Sequence, residues 1–180
     1  ARVQLMLNTQ RMQRRVRGLA TLHRTLYTTV DQTTINGRDM ILTVAEDISH
    51  LVSIRGLKIE TEADPVNLFP DQAVPLSMLL SEALTNAVKY VGKPATGPAY
   101  VRVQMQMTED GEVNLTISNS KGRFLQTTDD LESGGLGTRL MRAFVRQLDG
   151  EQTVEETDDA YIYRVQFQAK GFEPEQTDTP

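Results

Sequence analysis

The chain has 180 residues, of which 39% are hydrophobic and 24% are charged, proportions typical of a soluble globular protein. It has no cysteine and two histidines, which excludes disulfides, cysteine nucleophiles, thiolate metal sites and three-histidine metal centres. The net charge of −5 argues against nucleic acid as the main partner. No apolar run approaches the roughly 20 residues that a membrane span needs, and the lack of cysteine fits a reducing cytoplasm.

The first part of the chain is basic and has the pattern of a long amphipathic helix. Residues 2–29 place apolar side chains seven residues apart from Leu5 to Leu26, a spacing typical of packing against a partner helix. Six arginines and no acidic residue occur within residues 1–24. This basic face is either solvated or a docking surface for an acidic partner.

The rest of the chain predicts an α/β sandwich. Hydrophobic periodicity and turn residues predict helices over 38–54, 73–91 and 137–148 and strands over 57–62, 100–107, 112–119, 151–157 and 160–169. We place Pro75 in the first turn of the second of these helices, and Asp110-Gly111 is a hairpin signal. Because few of these connections can make parallel crossovers, we expect one mixed sheet with helices on one face.

The second predicted helix carries a polar row in which Glu82, Asn86 and Lys89 stand at positions i, i+4 and i+7. A carboxylate, an amide oxygen and an ammonium together suit a magnesium-bound triphosphate, since Mg²⁺ prefers oxygen ligands and phosphate attracts a cation. The same spacing also fits a solvated face in which Glu82 and Asn86 stabilise the helix.

Two further polar stretches are candidates for binding. The glycine-rich stretch 134–137 opens a helix, where backbone N–H groups and the helix dipole favour a phosphate, although such a stretch can also be a plain turn. No strand directly precedes it, so the dinucleotide-binding and Walker patterns do not fit. Asn119 and Gly122 follow a buried strand, where a polar side chain can hydrogen-bond an adenine edge or simply form a turn.

Along the chain the polar row of the second predicted helix comes first, Asn119 and Gly122 follow, and the glycine-rich stretch 134–137 comes last. This ordered set resembles the ATP-binding domain of the GHKL superfamily, which occurs in sensor histidine kinases. Residues 82–90 are similar to the N box of that domain, and residues 135–140 are similar to its second glycine box. The resemblance covers nearly the whole chain, and the N box is its most specific part. It implies a Bergerat-type fold, with one mixed sheet under helices.

The resemblance also implies a role for each candidate residue. Glu82 would be the catalytic residue, orienting a Mg²⁺-bound water or polarising the nucleophile, and Asn86 would coordinate Mg²⁺. Lys89 would neutralise phosphate charge, and Asn119 would read adenine. The other implied ATP-binding residues are Tyr90, Gly122, Gly135, Leu136, Gly137 and Thr138.

The chain departs from the family in its first glycine box, which is usually Asp-x-Gly-x-Gly. Asn119 stands where the aspartate is expected, and of the glycines Gly122 alone remains. An asparagine oxygen accepts a hydrogen bond without charge, so we expect a lower nucleotide affinity. The chain has no tryptophan and therefore lacks the Trp-x-Glu signature of HWE kinases, so the HWE-related subfamily (HisKA type 2) is the better match.

Residues 14–27 resemble the second helix of the dimerisation and phosphotransfer hairpin of that subfamily. On this interpretation the phosphoacceptor histidine lies before Ala1. The expected domains are a partial hairpin over 1–30, a catalytic ATP-binding domain over 31–170 and a tail over 171–180.

The implied function is the ATP-binding catalytic part of a cytoplasmic sensor histidine kinase, a phosphoprotein that requires ATP and Mg²⁺. Its histidine would be autophosphorylated, and the phosphate would pass to an aspartate of a response-regulator receiver domain. The hairpin would form a homodimer, and no nucleic acid or membrane span is expected in this segment.

Three alternatives stay open. A degenerate domain could serve as a non-catalytic phosphotransfer scaffold or a module that binds the response regulator, which the missing aspartate favours and the retained Glu82 and Asn86 oppose. A serine kinase of the anti-sigma type would share the superfamily fold, although such kinases lack a dimerisation hairpin. His23 could itself accept phosphate, but we prefer to explain it as a half-buried helix histidine that packs beside Leu19 and Leu26, and we expect no chemical role for His50.

Overall fold

The computed structural model describes residues 34–51, 57–124, 134–170 and Phe172. The predicted hairpin segment 1–30, with His23, lies outside the described residues, as does most of the predicted tail. The proposed division into domains and the dimerising role of the hairpin therefore stay predictions.

The described residues form three helices and nine strands. The helices are α1 (Gly37–Leu51), α2 (Pro70–Tyr90) and α3 (Gly134–Gln147). Four two-residue strands form two separate antiparallel pairs, β1 (Ile35–Asn36) with β3 (Asn67–Leu68) and β4 (Gly92–Lys93) with β7 (Arg123–Phe124). The main sheet consists of β2 (Leu57–Ala63), β5 (Ala99–Met107), β6 (Glu112–Ser120), β8 (Glu151–Glu156) and β9 (Ala160–Gln168).

The main sheet is mixed, with the strand order β2-β5-β6-β9-β8. Strands β2 and β5 are parallel and are connected through α2, whereas the other neighbouring pairs are antiparallel. The predicted hairpin at Asp110-Gly111 is confirmed, and Gly111 has a φ of +80°, a conformation that glycine adopts readily. The prediction of one mixed sheet is therefore correct.

One face of the main sheet is apolar and packs under the helices. Every second residue of β5 and β6 is buried, as Val103 and Leu115 illustrate, and β9 continues this face with Val165. Helix α2 adds fully buried leucines such as Leu76 and Leu84 and packs against both α1 and α3. The core therefore lies between this face and the three helices, as predicted. None of the helices in the described ranges is long and apolar enough to cross a membrane.

The opposite face of the sheet is polar. Glu60 of β2 lies 2.7 Å from the Lys58 ammonium, and its Oε2 accepts a hydrogen bond from Arg102 of β5 at 2.8 Å. The hydrogen bonds from these two cations lower the pKa of the Glu60 carboxyl. Alternation of apolar and polar side chains along the strands thus separates the core from a charged surface.

The structure corrects the predicted start of the second helix. Helix α2 begins at Pro70 rather than at residue 73, so Pro75 lies inside the helix and not in its first turn. Proline is well suited to the first helical position, where its missing N–H has no intrahelical acceptor. The early turn is also held by the buried Gln72, whose amide donates to the Gln168 carbonyl at 2.8 Å and accepts from the Lys170 N–H at 2.8 Å.

Two other boundaries also differ from the prediction. Helix α3 begins at Gly134 rather than at residue 137, so the glycine-rich stretch forms its first turn instead of preceding it. The short strands β1, β3, β4 and β7 lie outside the strands predicted from the sequence. The predicted strands of the main sheet agree with the structure to within one residue at each end.

Candidate functional site

The predicted polar row lies in the C-terminal half of α2. Glu82, Asn86 and Lys89 are partly exposed, whereas Leu84 and Val88 on the same helix are buried in the core. Because apolar residues recur every three to four positions, they fix the rotation of the helix about its axis. The row is therefore held at the border of the core.

The start of α3 lies against this row. A β-carbon added to Gly137 would lie 3.3 Å from Oε2 of Glu82 and 3.9 and 4.0 Å from the amide nitrogen and oxygen of Asn86. The Asn86 amide nitrogen also lies 4.0 Å from the sulfur of Met141, one turn further along α3. The structure therefore brings Glu82, Asn86 and Gly137 to one place, and the lack of a side chain at Gly137 allows α2 and α3 to approach each other closely there.

The electrostatics of this place favour an anion. Gly135, Leu136 and Gly137 belong to the first turn of α3, where backbone N–H groups lack intrahelical acceptors and the helix dipole is positive. This turn contains no acidic residue of its own. Thr138 follows on the exposed surface. The carboxylate that the structure brings to this end of the helix is that of Glu82, from α2.

The other end of the row reaches β6. Asn119 is 2% exposed, and its amide donates to the carbonyl of Tyr90, the last residue of α2, at 3.4 Å and to that of Ser120 at 3.3 Å. The hydroxyl of Ser120 donates to the Gly92 carbonyl at 2.7 Å and accepts from the Tyr100 N–H at 3.0 Å. These bonds tie the end of α2 to the end of β6 and hold Asn119 beside Tyr90.

Lys89 lies at the end of the polar row that is next to Tyr90 and Asn119. Its ammonium lies 5.3 Å from the ring centroid of Tyr90, within the range of a cation–π contact. Glu82 and Tyr90 are separated by about 12 Å along the axis of α2, at 1.5 Å per residue. The structure therefore brings Lys89 to Tyr90, while Glu82 and Asn86 are brought to Gly137.

Gly122 has a packing role in the structure. Its φ is +139°, and a β-carbon there would overlap the carbonyl oxygen of Lys93. A β-carbon on Gly92 would likewise lie 2.5 Å from the backbone nitrogen of Gly122. Small residues at both positions thus allow β4 and β7 to approach each other next to Asn119.

One aromatic residue at this end, Tyr161, is not among the residues predicted from the sequence. Tyr161 of β9 lies directly opposite Asn119 of β6 in the sheet register, and it is 40% exposed. Burial raises the pKa of the Tyr161 hydroxyl, with smaller contributions from the charge of Glu156 and from Tyr90. Tyr161 stands two residues before the buried Tyr163, so the alternation along β9 places it on the side of the sheet that faces the core. Its neighbours on β6 and β8 depend on the strand register, which the sequence does not give.

His50 lies apart from these residues. It is an exposed residue in the last turn of α1, where its imidazole lies 3.5 Å from the carboxylate of Glu46. The pair has the ordinary i, i+4 spacing of a helix surface.

No model of a known protein family matches the chain. Over 112 residues the chain is 27% identical to Blue-light-activated histidine kinase 2 of Erythrobacter litoralis, a match that covers 62% of this chain and 32% of that protein. Over 112 residues it is 29% identical to the anti-sigma F factor of Priestia megaterium, covering 57% of this chain and 74% of that protein. The chain thus spans about a third of the length of the first relative.

Two solved structures share the architecture. The histidine kinase domain of a blue-light-activated histidine kinase from Erythrobacter litoralis matches with a TM-score of 0.74 and 22% identity, over 87% of this chain and 74% of that one. The catalytic domain of the histidine kinase ThkA matches with a TM-score of 0.58 and 14% identity, over 76% and 95%. The chain shares the fold of these two histidine kinase domains. The expected Bergerat-type architecture is therefore confirmed, whereas the HisKA type 2 subfamily stays a prediction.

Proposed function

We propose that this chain is the ATP-binding catalytic part of a sensor histidine kinase. The observation that carries the proposal is the meeting of Glu82 and Asn86 of α2 with Gly137 in the first turn of α3. A carboxylate, an amide and the N–H groups of a helix start come together there, and this combination suits a magnesium-bound triphosphate. The shared fold and the 27% identity to a histidine kinase support the same function.

The phosphates would lie at the start of α3. Because residues 135 and 137 are glycines, a phosphate can approach the backbone N–H groups of the first turn closely. That turn has no acidic residue of its own, so the positive end of the helix dipole would act on both the Glu82 carboxylate and the ligand. Leu136 and Thr138 are the residues next to Gly137 in the first turns of α3. Lys89 would neutralise phosphate charge at the end of the polar row that is next to Tyr90.

Asn86 would hold Mg²⁺ through its side-chain oxygen. In nucleotide sites Mg²⁺ commonly takes one or two protein oxygens and completes its shell with phosphates and water. In the described part of the chain no three histidine, aspartate or glutamate side chains converge. The donor set around Asn86 therefore fits a cation that arrives with the nucleotide, and Mg²⁺ bound there would neutralise charge on the phosphates.

Glu82 would act on the nucleophile. Its carboxylate lies beside Gly137, where the terminal phosphate would be held, so it can accept a hydrogen bond from an attacking imidazole or from a water. In the transfer, a nitrogen–phosphorus bond forms on the histidine, the bond to the leaving ADP oxygen breaks, and the imidazole proton is released. The protein contributes mainly positioning and charge stabilisation.

Calorimetric titration with MgATP, together with transfer assays in the full-length protein, tests this proposal. We expect binding at millimolar nucleotide or below, and Asn86→Ala should lower the affinity at least about tenfold in the presence of Mg²⁺. Glu82→Gln should retain binding but lose transfer to histidine. Gln106→Ala, on the exposed polar face of β5, is the matched control and should change neither property. The proposal is wrong if the unmodified chain does not bind MgATP, and that result would favour the non-catalytic scaffold.

The identity to the anti-sigma F factor favours a second candidate, a serine kinase of the anti-sigma type. The two functions differ in the phosphorylated residue, because phosphohistidine is labile in acid whereas phosphoserine is stable. Acid treatment of the phosphorylated full-length protein and its partners therefore separates them. The receiver-domain partner, the homodimer formed through residues 1–30 and the cytoplasmic location belong to the histidine kinase proposal.

A further inference from the structure

We propose that Tyr161 is a base-stacking residue of the nucleotide site, an inference that rests on the proposed function. Tyr161 and Tyr90 are both neighbours of Asn119, the residue implied to read adenine. Tyr161 lies opposite Asn119 on the neighbouring strand, and the carbonyl of Tyr90 accepts a hydrogen bond from the Asn119 amide at 3.4 Å.

The strand register determines where Tyr161 lies. It is directly opposite Asn119 in the β6–β9 pair and directly opposite Glu156 in the β8–β9 pair. Residues opposite each other in antiparallel strands project from the same face, with β-carbons about 5 Å apart. Asn119 is on the helix-covered face, because Ile117 two residues earlier is part of the core. Tyr161 is therefore on that face as well.

The exposure of Tyr161 is unusual for this face. Tyr163 and Val165, the next two residues of the same row, are buried, whereas Tyr161 is 40% exposed. The Tyr163 hydroxyl donates to Gln152 at 2.7 Å, but the Tyr161 hydroxyl makes no hydrogen bond within the described ranges. The apolar row of β9 thus extends from the buried core to the ring of Tyr161, which solvent or a ligand can reach.

A salt bridge between Lys121 and Glu156 lies next to Tyr161. The Lys121 ammonium lies 2.9 Å from the Glu156 carboxylate and donates to the Thr157 carbonyl at 2.7 Å. Glu156 lies opposite Tyr161 on β8, and its carboxylate is paired with the Lys121 ammonium. The aromatic ring is consequently the feature of this edge that can contact an uncharged, flat group such as a nucleobase.

Asn119 alone provides weak recognition of a base, so a stacking contact from Tyr161 would strengthen nucleotide binding. It lacks the charge of the aspartate found in the family, and its amide nitrogen already donates to the carbonyls of Tyr90 and Ser120. Stacking on an aromatic ring does not depend on the hydrogen-bonding edge of the base, since every base has a π face. The ring of Tyr161 is therefore expected to contribute to ATP and GTP binding alike.

Titration of the chain with MgATP, MgGTP and magnesium tripolyphosphate tests the inference. Tyr161→Ala and Tyr161→Leu should each lower the affinity for both nucleotides about tenfold, while leaving the affinity for tripolyphosphate unchanged. Tyr161→Phe keeps the ring and should stay within about twofold of the unmodified chain. Val154→Ala is the matched control, because Val154 is a more exposed residue on the same face of β8 and lies opposite Tyr163.

Each other outcome has a definite meaning. If the unmodified chain binds MgATP and both Tyr161→Ala and Tyr161→Leu bind it equally well, the inference is wrong and the proposed function stands. If these variants lose tripolyphosphate affinity to the same extent, the effect lies in the fold or at the phosphate end, and the inference is again wrong. If the unmodified chain binds neither nucleotide, the proposed function and the inference both fail.

Discussion

Gly137 and Glu82 face each other where α3 meets α2, and a β-carbon on Gly137 would lie 3.3 Å from Oε2 of Glu82. That separation is tighter than an ordinary contact between a β-carbon and its neighbours. The two residues belong to distant parts of the chain, so this contact joins the polar row of α2 to the glycine-rich start of α3. It is the geometric basis of the proposed phosphate site.

We expect Gly137→Ala to weaken MgATP binding without destabilising the fold. Alanine favours a helix by about 1 kcal/mol over glycine, but its methyl group would occupy the approach to the backbone N–H groups and displace the Glu82 carboxylate. Loss of one charge-assisted hydrogen bond corresponds to about tenfold in affinity. Calorimetric titration and thermal unfolding measure the two effects, and normal binding with a lowered melting temperature would contradict the expectation.

Asn119→Asp, which introduces the residue usual in the GHKL ATP-binding domain, should destabilise this chain. The Asn119 amide donates to the carbonyls of Tyr90 and Ser120 and is almost fully buried, whereas a carboxylate has no donor to offer them. We expect a loss of about 1–3 kcal/mol in the free energy of unfolding, measured in urea at neutral pH. Unchanged stability together with tighter MgATP binding would argue that position 119 still has the role of the family's aspartate.

Gly122→Ala should destabilise the chain more than Gly97→Ala. Both glycines have positive φ, at +139° and +87°, but a β-carbon on Gly97 would meet nothing within 4 Å, whereas one on Gly122 would overlap the Lys93 carbonyl. Gly97→Ala therefore measures the conformational cost alone, about 1–2 kcal/mol. Urea unfolding of the two variants measures the difference in their free energies of unfolding. Equal losses would show that the close approach of β4 to β7 does not require glycine at position 122.

Acid should remove the stabilising contribution of Glu60. Hydrogen bonds from Lys58 and Arg102 lower the pKa of this carboxyl below its ordinary value of 4.5. A group whose folded-state pKa is depressed stabilises the fold above its unfolded-state pKa, and this stabilisation is lost as the pH falls through the folded-state value. Glu60→Gln should therefore lower the melting temperature at neutral pH, and the difference should vanish in acid. Glu109→Gln, an exposed residue without an ion pair among the described residues, should show no such pH-dependent difference.

The sequence predicts those parts of the fold and site that depend on neighbouring residues. The Asp110-Gly111 turn and the alternation along β5 and β6 are local signals, and both agree with the structure. The row of Glu82 and Asn86 follows from helical spacing within α2.

Features that depend on distant contacts were not predictable in this way. The true start of α2 is held by Gln72, whose side chain bonds the end of β9 almost a hundred residues later. The residues around Pro75 alone therefore predicted a start three residues too late. Tyr161 acquires its neighbours from the pairing of β6 with β9, and a shift of one residue would move it to the other face. The sequence alone gives no register between strands so far apart.

Helix α2 carries buried leucines on one side and the polar row on the other, so a single rotation about its axis orients both. Slipping the helix by one residue would turn it by about 100°, which would bring leucines to water and carry Glu82 toward the core. Selection for stability alone would thus keep Glu82 and Asn86 at their present positions on the surface. A descendant without the proposed phosphoryl transfer would preserve the spatial placement of these positions for as long as it stayed folded, and only the identities of their side chains would be free to change.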